Sequence, residues 1–256
     1  MQNALVGFTG FVGSTLRKQA QFEALYRSTN IGEIAGKEFE VVVCAGASGQ
    51  KWLANRDPKT DAQKIEDLIS HLKSVRCRTF ILISTVDVFS NPIDVDESAS
   101  IDLSALHAYG LHRRRLETFV ESWFPGHLIV RLPGLVGPGL RKNVIYDILN
   151  ANNLEAVETR AIFQFYPVVH LWSDIQVALK ARLSLVHLTA APISVADVSL
   201  LGFGKPLHPR STGKTVRYDM HTRHAEVFGG HGDYQYSVRE TVQAVRTYAQ
   251  SEPLTR

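Results

Sequence analysis

Short apolar runs and amphipathic stretches alternate along the first half of the chain. Ala4-Leu5-Val6 reads as a buried strand, and Ser14 to Ala20 as a short helix. Ala24 to Tyr26 gives a second strand and Phe39 to Cys44 a third. From Lys59 to Val75 the apolar residues Ile65, Leu68, Ile69 and Leu72 recur at helical spacing. Thr79 to Ser84 gives a fourth strand, Tyr109 to Trp123 a further helix, and His127 to Leu132 a fifth strand. Strands that are apolar throughout, with helices between them, predict a parallel sheet covered on both faces. The fold class is α/β, a doubly wound core of Rossmann type.

Regularity fades in the second half. Pro133, Gly134, Gly137, Pro138 and Gly139 break the chain directly after a strand, and Val144 to Leu149 then reads as a short helix. Phe163 to His170 is strand-like, Asp174 to Leu183 helical, Leu185 to Thr189 a strand and Ser237 to Gln250 a closing helix. With no repeat and no low-complexity linker, the expected organisation is a core over 1–133, rejoined by 168–195. A smaller substrate-side cap takes 134–167 and 196–256.

The length of 256 residues suffices for a sizeable core, and 45% hydrophobic with 21% charged residues excludes disorder as the main state. A net charge of +3 is no nucleic-acid signature, although it suits an anionic small ligand. Cys44 and Cys77 form neither a disulfide framework nor a metal cluster. Neither a secretory leader nor a membrane span is read in the sequence, and a reduced cytoplasmic protein is the expectation.

The first strand ends in Gly7-Phe8-Thr9-Gly10-Phe11-Val12-Gly13 and runs into a helix. Glycines let the backbone turn tightly and approach a pyrophosphate, while the helix start at Phe11, Val12 and Gly13 offers free N–H groups. Without that context the pattern is only a glycine-rich turn; on the first strand of a parallel sheet it points to a dinucleotide. After the second strand stand Arg27 and Ser28, with no carboxylate nearby, which favours the 2′-phosphate of NADP over NAD. Tyr109 and Arg113, four residues apart on a helix, share one face, and a strand-end hydroxyl at Thr85 would complete a proton-transfer site with them.

With these residues in place the sequence resembles the extended short-chain dehydrogenase/reductases, in their nucleotide-sugar-modifying branch. It does so most at GFTGFVG (7–13), CAGA (44–47), ISTVDVF (83–89), YGLHR (109–113), RLPGLVGPG (131–139) and VVHLWSDIQVAL (168–179). The resemblance implies that Thr85 holds the reacting oxygen, that Tyr109 exchanges a proton with it, and that Ala45, Gly46, Ala47 and Pro133 line the cofactor. The lysine of that family, four residues after the tyrosine, is replaced by Arg113, which cannot release a proton near neutral pH. The expectation is that Arg113 favours tyrosinate, keeping Tyr109 partly ionisable near neutral pH, and reaches the nicotinamide ribose.

Asp87 and the basic stretch Arg141, Lys142 and Asn143 are the candidates for substrate, the latter three for a diphosphate. His221, His224 and His231 match no metal-site spacing and are read as a substrate-side loop without metal. Arg113-Arg114-Arg115 is read as one site residue plus a solvated helix face. No acidic pair follows Thr85, as a dehydratase would need. The reading is therefore hydride transfer on a sugar carbon of a nucleotide-linked sugar, by a 4-ketoreductase or epimerase. No nucleic acid and no membrane take part, and a homodimer is compatible with it. The alternative is a catalytically silent NAD(P)-binding regulator.

Overall fold

A computed structural model describes residues 2–207 and 215–254. In chain order its elements are β1 (Asn3–Val6), α1 (Phe11–Gln19), β2 (Ala24–Tyr26), β3 (Glu38–Cys44), α2 (Lys51–Arg56) and α3 (Pro58–Leu72). Then follow β4 (Arg76–Thr85), β5 (Ile93–Val95), α4 (Ala108–Trp123), β6 (His127–Leu132), β7 (Gly134–Val136), α5 (Val144–Asn150) and β8 (Ile162–Phe163). The chain continues with β9 (Phe165–Pro167), α6 (Leu171–Lys180), β10 (Leu185–His187), β11 (Ile193–Ser194), α7 (Val195–Asp197), β12 (Asp219–Met220) and α8 (Val238–Ser251).

Two compact units divide these elements. The first comprises 1–90, 99–131 and 175–186 and holds a six-stranded parallel sheet in the order β10-β6-β4-β3-β1-β2. Its central strands are buried on both faces, which is why they are apolar without alternation: Val42, Val43 and Cys44 of β3, and Phe80, Ile81 and Leu82 of β4, are all at most 1% exposed. On α3 the core-facing residues Ile65, Ile69 and Leu72 share their stripe with a carboxylate, Asp61. Asp57 caps this helix through Thr60 N, and Pro58 occupies its first turn, where a missing N–H costs nothing. From β1 the chain proceeds to β2 on one side and to β3 on the other. In open parallel sheets, ligands bind at such a reversal, outside the carboxyl ends of the strands.

The second unit comprises 91–98, 132–174 and 187–256. It is stitched by two-stranded pairs, β5–β12, β7–β9 and β8–β11, and by buried polar side chains. Gln164 is 1% exposed; its amide nitrogen donates to Thr189 Oγ1 and to the carbonyls of Ala190 and Met220, and its oxygen accepts from Met220 N. That anchoring splits the expected strand 163–170 into β8, β9 and a 3-10 turn over Val168–His170. The unit boundaries also differ from those expected from sequence. Segment 91–98 joins the second unit because β5 pairs with β12, and 187–195 joins it because Gln235 binds Thr189 N and the His187 carbonyl. No helix among the described residues is long and apolar enough to cross a membrane.

Candidate active site

At the end of β1 the three glycines do different work. Gly7 has φ +85°, and a Cβ there would lie 2.3 Å from the Ala45 carbonyl oxygen, at the end of the neighbouring β3. A Cβ on Gly13 would lie 2.1 Å from the Gly7 oxygen, so both positions exist to let backbone meet backbone. Gly10 has only ordinary contact, with nothing nearer than 3.5 Å. It is the N-cap of α1, no side chain caps the helix, and its first turn holds no acidic residue. The leading N–H groups of α1 at Phe11 and Val12 therefore stand without a side-chain partner. Backbone donors at an open glycine, with the positive end of a helix behind them, fit a pyrophosphate.

Past β2, Asn30 shapes the turn by accepting from Arg27 N and donating to the Leu25 carbonyl. Arg27 and Ser28 are exposed, and Arg27 pairs with no carboxylate among the described residues. Past β3, Ala45 and Ala47 are half-buried and Gly46 is exposed.

At the end of β4, Thr85 meets Tyr109, their side chains sharing a hydrogen bond. The approach depends on Gly110, where a Cβ would fall 2.0 Å from the Asp87 carbonyl oxygen. Two further residues seat the start of α4. His107 Nδ1 accepts from Gly110 N as the N-cap, and Asn55 Oδ1 of α2 accepts from Tyr109 N at 3.0 Å. The phenol is buried, 8% exposed.

Arg113 lies over the Tyr109 ring, its guanidinium carbon 4.0 Å from the ring centroid. It is 3% exposed and already engaged: one terminal nitrogen donates to Asp61 Oδ2 and the other to the Ser48 carbonyl at 2.6 Å. His112 Nδ1 also meets Asp61 Oδ2, at 2.7 Å. Burial pushes the Asp61 carboxyl up, but its bonds and charge contacts with Arg113 and His112 outweigh it and hold the group below its ordinary value. Arg113 Nε is buried with no hydrogen-bond partner.

These contacts overturn one expectation. Tyr109 is displaced upward from the ordinary tyrosine value, since burial outweighs the opposing charge of Arg113, and Asp87 adds to the rise. The guanidinium is shared with the Asp61 carboxylate rather than devoted to the phenol, and it lowers Tyr109 by less than burial raises it.

A second cation stands nearby. Lys51, the first residue of α2, pairs with Asp87 at 2.7 Å, and its charge acts on both Tyr109 and His107. Burial, followed by the Lys51 charge, lowers the His107 imidazole below its usual value. Farther along α4, Glu117 is fully buried and takes Arg131 through both carboxylate oxygens, Ser84 Oγ at 2.5 Å and Arg114 at 2.9 Å.

The sequence reading did not find Ser48, Lys51, Asn55, Asp61, His107 or Gly110. Asp61 carried a usable signal, since a carboxylate on the apolar stripe of α3 demands a partner. Of the three consecutive arginines, Arg114 binds Glu117 and Glu121, and Arg115 binds Glu66.

Pro133, Arg141, Lys142 and Asn143 belong to the second unit. Pro133 is buried, and Arg141 and Lys142 are exposed. Asn143 adopts φ +104° and caps α5, accepting from Ile145 N and Tyr146 N while donating to the Leu135 carbonyl, so its amide is committed to the fold. His221 pairs with Asp219 and Asp94.

No protein-family model matches the chain, and no curated protein matches it either. Solved structures do. A dTDP-4-dehydrorhamnose reductase from Clostridium acetobutylicum superposes with TM-score 0.74 at 16% identity, covering 98% of this chain and 99% of its own. A UDP-galactose 4-epimerase gives 0.73 at 17% identity, covering 98% of each chain. RMD from Pseudomonas aeruginosa, solved with NADPH, gives 0.73 at 16% identity, covering 98% of this chain and 99% of its own. The chain shares the Rossmann-type fold of these solved structures over nearly its whole length.

Proposed function

We propose that the chain is an NAD(P)-dependent oxidoreductase or epimerase acting by hydride transfer on a sugar carbon of a nucleotide-linked sugar, as a 4-ketoreductase or epimerase. One observation carries the reading. Thr85 and Tyr109 are joined at the carboxyl end of β4, and the glycine turn and the Ala45–Ala47 segment follow β1 and β3 of the same sheet. Of the solved neighbours named above, one is a dTDP-4-dehydrorhamnose reductase, one a UDP-galactose 4-epimerase, and one holds NADPH.

In this reading Gly10 and the N–H groups of Phe11 and Val12 hold the pyrophosphate, and Arg27 with Ser28 takes the 2′-phosphate, so that NADP is preferred over NAD. Arg113 offers its unpartnered Nε–H to a ribose hydroxyl, the role its two committed nitrogens leave open. A bound nicotinamide would supply or take the hydride. Thr85 orients the substrate oxygen, and Tyr109 exchanges a proton with it through Oη. Exposed Arg141 and Lys142 are the candidates for the nucleotide diphosphate. With Cys44 and Cys77 both free thiols, we place the protein in the reduced cytoplasm.

A second reading, a silent NAD(P)-binding regulator, is favoured by the Asp61–Arg113 pair, which ties up the residue standing where the family has its lysine. Turnover separates the two. NADPH oxidation with dTDP-4-dehydrorhamnose, and conversion of UDP-galactose, are expected in the unmodified protein for at least one substrate. In Tyr109→Phe the rate should fall by about 10²–10⁴-fold, the usual worth of a positioned acid or base. Dinucleotide affinity should stay within a few-fold. Binding without turnover on any nucleotide sugar would establish the regulator; absence of dinucleotide binding would defeat both readings.

A further inference from the structure

We propose that Glu252 is a built-in competitor for the diphosphate of the nucleotide-linked substrate. It is seated on a backbone donor of the loop between β7 and α5, and the ligand displaces it on binding. This rests on the function proposed above and adds to it the donor that meets the ligand and the group that must leave.

The loop runs Gly137-Pro138-Gly139-Leu140-Arg141-Lys142-Asn143. Gly139 is exposed and has φ +84°, and a Cβ built on it would meet nothing within 4 Å. The glycine therefore serves the turn rather than a close approach, and the space over it is open. Two groups four residues apart, on one face of the end of α8, hold this turn. Tyr248 donates from its hydroxyl to the Leu140 carbonyl at 3.1 Å, and Glu252 Oε1 accepts from Gly139 N at 2.9 Å. The first contact is buried and the second exposed.

The two anchors differ in what holds them. Tyr248 is 1% exposed and belongs to the packing. Glu252 stands where a helix disfavours a negative charge. It is the C-cap of α8, at the carboxyl end of the helix dipole, and no basic residue enters the last turn. Burial pushes the Tyr248 phenol up to about 12, and the Glu252 charge is the next cause of that rise. Among the described residues Glu252 forms no ion pair. Neither does Arg141, exposed and two positions past Gly139. One carboxylate oxygen on one N–H, at the unfavourable end of a helix, is a weakly held anion. A diphosphate brings more charge, takes the same N–H, and offers the Arg141 guanidinium the paired oxygens that its fork fits. The N–H has one hydrogen to give, so the ligand and Glu252 exclude each other there.

Calorimetry with dTDP and with UDP on the full chain tests this, without cofactor or turnover. Glu252→Ala frees the Gly139 N–H and should tighten binding by about two- to fivefold, the worth of an exposed charged contact. Glu252→Gln keeps a neutral acceptor and should give a smaller gain. Arg141→Ala should weaken binding both alone and combined with Glu252→Ala. In NMR spectra of protein labelled at glycine nitrogen, dTDP should move the Gly139 amide, and Glu252→Ala should move it without ligand. Unchanged or weaker binding in Glu252→Ala overturns the proposal, as does a Gly139 amide that dTDP leaves in place. Absence of dTDP and UDP binding in both proteins overturns it too. Failure of the wider reading shows differently: NADPH binding is lost, or nucleoside diphosphates bind and respond to Glu252→Ala while no nucleotide sugar is turned over.

Discussion

At the glycine turn the atoms offered to a ligand are backbone, and side chains are kept away: Gly10 is open, α1 is uncapped, and no acidic residue enters its first turn. At the start of α4 the opposite holds. Every charge there meets another side chain, Arg113 with Asp61, Lys51 with Asp87, Arg114 and Arg131 with Glu117. The first region is specified by three neighbouring glycines and tolerates change outside them. The second is a network whose members come from α2, α3, β4, α4 and β6, so removing one leaves others stranded. Binding and chemistry therefore answer to different kinds of mutation.

The largest effect is expected where that network is most buried. Glu117→Ala leaves Arg131, 2% exposed, without its carboxylate and should cost about 3–5 kcal/mol, measured by urea unfolding. Burial alone would raise the Glu117 carboxyl, but Arg131, Ser84 and Arg114 together hold it below its usual 4.5. A lowered folded value means stability that is present above the ordinary carboxylate range and lost as the pH falls through that lowered value. Glu117→Gln should accordingly flatten the acid limb of the stability curve. An unchanged acid limb would show that the pair contributes nothing to it.

Next comes Gly10→Val, aimed at the backbone-built region. The position has φ −73° and room for a Cβ, so the fold should survive within about 1 kcal/mol, as for a surface change. The added side chain projects to where the pyrophosphate would lie, and NADPH affinity should drop by at least about a hundredfold, some 2.7 kcal/mol. Retained affinity in calorimetry would place the dinucleotide elsewhere. Gly13→Ala makes the contrast, because its Cβ would strike the Gly7 oxygen and destabilise the fold itself.

The same contrast governs how far the sequence could be read. Unbroken apolar runs such as those of β3 and β4, and the helical spacing of α3, are visible without tertiary knowledge. The short strands β5, β8, β11 and β12 have no such run to show, because they are held by partners distant in the chain rather than by their own pattern. Within the site, Gly7, Gly10, Gly13, Tyr109 and Arg113 stand in local motifs and were legible. Asp61 meets Arg113 across 52 residues, Asn55 meets Tyr109 across 54, and Ser48 meets Arg113 across 65. No spacing rule reaches so far, and no sequence pattern shows the burial of the phenol that outweighs Arg113 at the tyrosine.

Arg27 belongs by its exposure to the tolerant region, yet it is the one side chain there asked to bind. Arg27→Ala should leave NADH affinity nearly intact while NADPH affinity falls by roughly ten- to hundredfold, the worth of a charge-assisted hydrogen bond of about 1.5–3 kcal/mol. Calorimetry with both dinucleotides checks it. Equal affinities in the unmodified protein would mean that β2 ends without reading the 2′-phosphate.

The smallest effect on stability is expected at Lys51, where the networked region reaches solvent. Its side chain is 39% exposed and that of Asp87 15%, so the pair should contribute less than about 1 kcal/mol, as partly exposed ion pairs do. Its charge has a clearer local consequence. His107 is held below its usual 6.5 by burial first and by Lys51 second, so the folded state resists its protonation, and stability declines as the pH falls below that value. Lys51→Met removes the second cause and leaves the first. The His107 imidazole, followed by NMR, should move part of the way back toward 6.5, and the loss of stability just below that pH should shrink. Urea unfolding at neutral pH should barely change, because there the imidazole is uncharged in both states. A His107 that does not move, with unfolding strongly altered at neutral pH, would mean that Lys51 supports the packing of α2 rather than the electrostatics of the site.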